Sequence, residues 1–134
     1  MISHGSLTKG SINYDSDIGR VQVKDGELSN CFDLNNYDFI DCKISGSFSF
    51  CDLFRSEVKD ANMLRCNLYQ NTLVTGSKAE SCYVSKDCEL TNCYVFQWDS
   101  IFKGRMIGGI FRHGKISKSA EFDKTEIINS KKID

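Results

Sequence analysis

The pattern of apolar and polar positions repeats every five residues in the middle of the chain. Residues 51–75 divide into five consecutive units with the sequences CDLFR, SEVKD, ANMLR, CNLYQ and NTLVT. The third position is always apolar, and the residues concerned are Leu53, Val58, Met63, Leu68 and Leu73. The first position is usually small, as in Cys51, Ser56, Ala61 and Cys66. A five-residue period matches neither an amphipathic helix nor a simple alternating strand, so it predicts short extended segments joined by turns.

Apolar centres continue towards both ends of the chain when one-residue slips in the spacing are allowed. Grouping every fourth centre gives four columns whose successive members lie 19 to 22 residues apart. One such column contains Leu7, Leu28, Phe48, Leu68, Leu90 and Phe111. This grouping predicts a coil of about 20 residues with four sides, stacked on its neighbours at the ~4.8 Å spacing of paired strands.

Residues two apart in an extended segment point to the same side. Each large centre and the small residue two positions before it are therefore predicted to point inward. Stacking the coils builds a narrow apolar core and pairs every backbone segment with the coils on either side. The expected fold class is all-β, a parallel β-helix of about six coils of 19–22 residues.

The units CDLFR, ANMLR and CNLYQ resemble the pentapeptide-repeat family, whose units read roughly A(D/N)LXX, and SEVKD and NTLVT match more loosely. The resemblance is clear over residues 51–73 and extends loosely over 21–117. It implies a right-handed, four-sided parallel β-helix. The segment WDSIFKGRMIGGIFRHGKIS also resembles repeat tracts of tailed-phage proteins, which implies a phage or bacterial origin. Because the spacing varies, a more irregular β-helix is the alternative.

The length of 134 residues suits one domain, so residues 1–134 are expected to form a single solenoid. Residues 117–134 are a candidate C-terminal cap or tail, as a short helix or as a further coil. No apolar run is long enough for a membrane span, and no secretory signal opens the chain. These features predict a cytoplasmic protein, or one of the host cytoplasm if a phage encodes it.

Seven cysteines are unusual for a chain of this size. Six of them lie two residues before an apolar centre: Cys42, Cys51, Cys66, Cys82, Cys88 and Cys93. We therefore expect these thiols to be reduced and buried, since free cysteine is among the most buried residue types. No C-x2-C pair is present, so the spacing does not favour a zinc site.

Candidate catalytic chemistry is sparse. The two histidines are His4 and His113, and His113 is predicted to lie on the surface. We expect no catalytic residue, no cofactor and no metal, and hence no enzyme. The alternative is a polysaccharide hydrolase or lyase with grouped acids on one face, because 18 acidic residues place some carboxylates close together.

Three outward surfaces are candidate binding sites. A basic ridge on one side is predicted to contain Lys24, Lys43, Arg65, Lys86 and Arg105. An acidic face on the adjacent side is predicted to contain Asp38, Asp41, Glu57, Asp60 and Glu80. An exterior apolar column that could form an interface is predicted to contain Phe54, Val74 and Phe96.

These surfaces favour a non-enzymatic solenoid with a structural or protein-binding role. The expected partners are another protein and further copies of the chain, as a dimer and next as a trimer. No membrane and no direct nucleic-acid contact are expected, since the net charge is −1 and the pI is near 6.1. The alternative is an inhibitor of a host nucleic-acid enzyme of the topoisomerase type that imitates DNA, as some pentapeptide-repeat proteins do. Such mimicry requires dense negative charge, which the net charge disfavours.

Overall fold

The computed structural model describes residues 6–7, 10–15, 19–97 and 100–133. Two further apolar centres of the five-residue pattern, Ile2 and Ile18, lie outside the described residues, as do His4 and the first two residues of the WDSIFK segment, Trp98 and Asp99. Over the described residues the chain is all-β, without helix. No helix able to cross a membrane is found there.

The described residues form 21 strands. The N-terminal half of the chain contains β1 (Ser6–Leu7), β2 (Ser11–Asp15), β3 (Arg20–Lys24), β4 (Glu27–Asn35), β5 (Tyr37–Ile40), β6 (Lys43–Ser49), β7 (Asp52–Phe54), β8 (Glu57–Leu64) and β9 (Asn67–Tyr69). The C-terminal half contains β10 (Leu73–Thr75), β11 (Lys78–Glu80), β12 (Tyr83–Val84), β13 (Glu89–Thr91), β14 (Tyr94–Phe96), β15 (Ile101–Phe102), β16 (Arg105–Ile107), β17 (Ile110–Arg112), β18 (Lys115–Ile116), β19 (Glu121–Asp123), β20 (Glu126–Ile128) and β21 (Lys131–Lys132).

The strands wind into a right-handed parallel β-helix of about seven turns, in agreement with the predicted fold class. Each turn has three faces, and the inward residues of each face are in register from coil to coil. Face A stacks Leu28, Ile44, Val58, Val74, Leu90, Met106 and Phe122. Face B stacks Leu34, Phe48, Met63, Ala79, Val95, Phe111 and Ile127. Face C stacks Val23, Phe39, Leu53, Leu68, Val84, Phe102 and Ile116.

The predicted coil of 19–22 residues with four sides is wrong. Equivalent positions of successive coils lie about 16 residues apart, because three sides rather than four complete a turn. The five-residue period gives the length of one side and contains no information about the number of sides. The inward position is also displaced by one residue at two apolar centres of the repeat, Leu73 and Ile101. Leu73 is 45% exposed whereas Val74 is buried, and Phe102 rather than Ile101 is the buried residue.

Most corners are built from a short local motif. A residue with positive φ comes first, a small inward residue follows it, and the large inward centre lies two positions later. The corner residues Asp41, Phe50, Arg55, Asp60, Arg65, Ser81, Asn92 and His113 all have φ between 49° and 55°. This left-handed conformation costs about 1–2 kcal/mol for residues other than glycine, and it allows a sharp turn within one residue. The packing of the two adjoining strands offsets that cost.

The small inward residue supplies a hydrogen-bond donor to the corner. The Cys42 thiol donates to the carbonyl oxygens of Val23 and Ile40, each at 3.3 Å. The Ser56 hydroxyl donates in the same way to the carbonyl of Phe39 at 3.3 Å and to that of Phe54 at 3.0 Å. Cysteine, serine and threonine exchange at this position because each combines small volume with one donor.

All seven cysteines are buried and none forms a disulfide, which confirms the expectation for the six named above. Burial raises the pKa of the Cys31 thiol to about 11, and the neighbouring Cys51 adds to this shift. Burial also raises the pKa of Cys42, Cys88 and Cys93. These thiols are therefore held in their neutral form in the core.

The first coil is covered by antiparallel strands, with β1 against β4 and β2 against β3. At the other end, β19, β20 and β21 continue the three faces in parallel register. Of the two expectations for residues 117–134, the further coil is the one that forms over the described residues.

Candidate functional site

The predicted basic ridge is distributed over several parts of the solenoid. Lys43 and Arg105 lie on face A, and Lys24 ends a strand of face C. Arg65 is a corner residue, and Lys86 lies between strands β12 and β13. The five side chains do not form one ridge because the columns were grouped with four sides in a coil instead of three.

On face A these cations alternate with acids. Lys43 is in register between Glu27 and Glu57, and Arg105 lies between Glu89 and Glu121. The Arg105 guanidinium is 3.7 Å from the Glu89 carboxylate and 3.9 Å from that of Glu121. The two cations therefore interrupt this column of four glutamates and compensate part of its negative charge.

The predicted acidic face is likewise dispersed. Asp38 lies on face C, Glu57 on face A and Glu80 on face B. Asp41 and Asp60 are corner residues, and Asp41 pairs with Arg55 over 2.9 Å. No continuous acidic surface results from these five residues.

The predicted exterior apolar column does not form. Val74 is 1% exposed and belongs to the core, while Phe54 lies on face C and Phe96 on face B. Phe96 contacts the imidazole of His113, with ring centroids 5.2 Å apart. Of the three, Phe54 belongs to a larger aromatic feature.

Face C bears a cluster of half-buried aromatic rings at its centre, with Phe54 and Tyr69 in one lateral column and Tyr83 in the other. The rings of Phe54 and Tyr69 stack with centroids 5.2 Å apart, and the rings of Tyr69 and Tyr83 are 5.8 Å apart. The ammonium of Lys103 lies 5.6 Å from the centroid of the Tyr83 ring. Together with Asp52 these residues line an open groove of about 650 Å³. Burial raises the pKa of Tyr69, with smaller contributions from Asp52 and Tyr83.

The groove separates two ends of face C that differ in charge. At the N-terminal end Asp38 and Asp52 lie beside the cations Arg20 and Lys24, and at the C-terminal end lie Lys103, Lys115 and Lys131. Acidic, aromatic and basic side chains thus follow one another along a single flat face.

Two neighbouring residues hold the carboxylates of Asp38 and Asp52 in position. Arg20 binds the Asp38 carboxylate at 2.7 Å and reaches that of Asp52 at 3.8 Å. The Asn67 amide donates to Asp52 at 2.9 Å. The Asp52 side chain is still 28% exposed, whereas that of Asp38 is 12% exposed. Asp52 is therefore the more accessible carboxylate.

Of the aromatic cluster on face C, only Phe54 was predicted from the sequence as part of a binding surface. Phe54 and Tyr69 each follow an inward centre by one residue and are 15 positions apart. A coil of 15 or 16 residues would have placed them side by side. In the described part of the chain, no three His, Cys, Asp or Glu side chains converge as ligands for a metal.

Neither a protein-family model nor a curated protein sequence matches this chain. The likeness to pentapeptide repeats is therefore a resemblance of a few units. What the fold itself defines is a parallel β-solenoid, a class consistent with a structural or interaction role.

Proposed function

We propose that this chain is a non-enzymatic interaction module and that face C is its docking surface. The observation that carries the proposal is the half-buried cluster of Phe54, Tyr69 and Tyr83, with Lys103 against the Tyr83 ring. Tyrosine and other aromatic residues are enriched in protein interfaces and at their energetic centres. Here they occupy the middle of a face whose two ends are charged, which matches the usual arrangement of an apolar centre within a polar rim.

The rigidity of the solenoid supports this role. Side chains on one face are held by parallel strand pairing, so their spacing is set before a partner arrives. Preorganised side chains lose less conformational entropy on binding than mobile ones do. The stacked rings of Phe54 and Tyr69 are further restrained by each other.

The alternative of DNA mimicry has less support. A mimic must present closely spaced negative charges along a rod. Here the acids of face A alternate with Lys43 and Arg105, and those of face C are followed by lysines. A reducing compartment such as the cytoplasm suits the proposed module, because its seven thiols are unpaired.

The test compares three tagged baits in a lysate of cells that also produce the untagged chain. The baits are the wild type, the face C variant Tyr69→Ser/Tyr83→Ser, and the face A control Thr75→Ala/Thr91→Ala. We expect at least one protein, or the untagged chain itself, to be retained by the wild type and the control and lost by the face C variant. Equal retention by all three baits, or retention of nothing by the wild type, would contradict the proposal. Circular dichroism establishes that all three baits are folded.

A further inference from the structure

We propose that the occupant of face C is a second copy of this chain, packed face to face with its solenoid antiparallel. The two-fold axis lies in the interface, runs parallel to the strands, and passes through the coil of Tyr83. The inference rests on the proposed function, since it takes face C to be the docking surface. It adds the identity of the partner and the pairing of the side chains. The observation that supports it is the register of face C, which places the accessible Asp52 carboxylate and the Lys115 ammonium at equal distances on either side of Tyr83; Asp38 is bonded to Arg20 of its own chain.

Two arrangements of two such faces have two-fold symmetry. If the solenoids run parallel, each coil lies opposite the same coil of the other copy, so Asp52 would lie level with Asp52 of that copy and Lys115 level with Lys115. If they run antiparallel, coils before the axis meet coils after it. A two-fold interface is self-complementary, with residue i meeting residue j and residue j meeting residue i. Only the antiparallel arrangement brings opposite charges together.

The register of face C gives the pairing. Asp38, Asp52, Asn67, Tyr83, Ile101, Lys115 and Lys131 occupy one lateral column in successive coils. Asp52 lies two coils before Tyr83, and Lys115 lies two coils after it. With the axis at Tyr83, Asp52 therefore faces Lys115 of the second copy. Asp38 and Lys131, three coils from the axis on either side, face each other in the same way.

The second outward column is complementary too. It contains Ile40, Phe54, Tyr69, Ser85 and Lys103, continues through Ser117, whose side chain is buried, and ends with Ile133. Tyr69 lies one coil before the axis and faces Lys103 of the second copy, which repeats the contact that Lys103 makes with Tyr83 in its own chain. Ile40 faces Ile133, whose side chain is 40% exposed.

The size of the face sets the expected strength. Six coil steps of ~4.8 Å separate Asp38 from Lys131, so the contact is about 29 Å long and only a few residues wide. Interfaces at the small end of the range are weak and transient. We therefore expect a dimer that dissociates at micromolar concentration and whose affinity falls as salt is raised, because salt screens exposed charge pairs.

A charge exchange tests the pairing by sedimentation equilibrium. Asp52→Lys and Lys115→Asp each place two pairs of like charges in the dimer. Each is expected to raise the dissociation constant of the dimer by about tenfold. The double variant Asp52→Lys/Lys115→Asp restores both pairs and should return to within about threefold of wild type. The two positions are four coils apart within one chain, about 19 Å, so the restoration must act between copies. Lys78→Asp on face B makes the same charge change as Lys115→Asp and should have no effect.

A cross-link tests the position of the axis. Tyr83 meets its own copy at the axis, so Tyr83→Cys should give a disulfide-linked dimer on mild oxidation with diamide. Thr91→Cys, on face A of the same coil, should not. The seven native thiols are buried and leave this comparison clean.

Three results would overturn the inference. They are a monomer at every concentration tested, single charge variants that associate as well as wild type, and a double variant as weak as the single ones. Equal cross-linking of Tyr83→Cys and Thr91→Cys would overturn the position of the axis. A monomer whose face C still retains another protein in the lysate experiment would reject self-association and keep the proposed function.

Discussion

The side chain of Gln97 bonds to both backbone polar groups of Cys82 in the coil beneath it. The Cys82 N–H donates to Gln97 Oε1 at 2.8 Å, and Gln97 Nε2 donates to the Cys82 carbonyl. The Gln97 side chain is completely buried. The inward centre Phe102 follows the inward centre Val95 by seven positions, instead of the usual five. At the regular corner of Cys42 its N–H donates to the Ser56 hydroxyl and its carbonyl accepts from the Glu57 N–H. At the irregular corner the single amide of Gln97 fills both roles for Cys82.

Removing this amide should destabilise the solenoid. Gln97→Leu keeps a similar volume and leaves the N–H and C=O of Cys82 without partners. Each unsatisfied buried polar group costs about 1–3 kcal/mol, so we expect a loss of about 3 kcal/mol in urea unfolding. Gln22→Leu, on the outside of β3, is the control and should change stability by less than about 0.5 kcal/mol. Similar losses in both variants would contradict the role of Gln97.

Leu73 and Val74 offer a direct test of which residue faces inward. Val74→Lys places an ammonium in the apolar core and should cost several kcal/mol or prevent folding. Leu73→Lys places the same charge between Glu57 and Glu89 on face A, and completes the alternation of charges there. Exposed cross-strand pairs of opposite charge contribute roughly 0.2–1 kcal/mol, so this variant should be as stable as wild type or slightly more stable. Thermal melts of the two variants that coincide, or that fall in the reverse order, would show that the inward assignment is wrong.

Stability should fall at alkaline pH because of the buried thiols. The pKa of Cys31 rises from 9.0 to about 11 on folding, so the unfolded chain releases this proton at lower pH than the folded chain does. Below pH 9 both states hold the proton and the contribution is constant. Between pH 9 and 11 it declines, by at most about 1.4 kcal/mol per pH unit for one thiol. Urea unfolding at several pH values measures this slope, and Cys31→Ala should reduce it. A slope unchanged by Cys31→Ala would contradict the assignment to this thiol.

Gly46 should tolerate no side chain. Its φ is +112°, and a methyl group on it would lie 2.3 Å from the backbone nitrogen and oxygen of Cys31. Because the obstacle is backbone, it cannot move aside without breaking the pairing of β4 with β6. We expect Gly46→Ala to cost more than about 3 kcal/mol or to abolish folding, as measured by circular dichroism.

The matched control for Gly46 is Gly19. Its φ is +67°, and a methyl group there would meet no atom of the described part of the chain within 4 Å. Gly19→Ala should therefore cost only the conformational penalty of about 1 kcal/mol. If Gly46→Ala is as mild as Gly19→Ala, the close approach of β4 and β6 is not as described.

Much of the local structure follows from the sequence. A large apolar residue preceded at two positions by a small one specifies an inward pair in any extended segment, and this is why Leu53, Val58, Met63 and Leu68 are all buried as predicted. The same pattern placed six cysteines in the core. These features depend on residues at most five positions apart, so they are visible in the chain itself.

The number of faces and the composition of each outer surface depended on the tertiary structure. Three sides close a coil because inward side chains from different faces must fill one narrow core, where Phe102, Phe111 and Phe122 meet with ring centroids 5.3 Å apart. No pattern within one side contains that information. Outward residues are under no such constraint, so Tyr69 and Tyr83 showed no signal and Phe54 was grouped with the wrong residues until the coil of about 16 residues brought the three rings into neighbouring coils. The local period determined what faces inward, and the closure of the coil determined which outward residues share a surface.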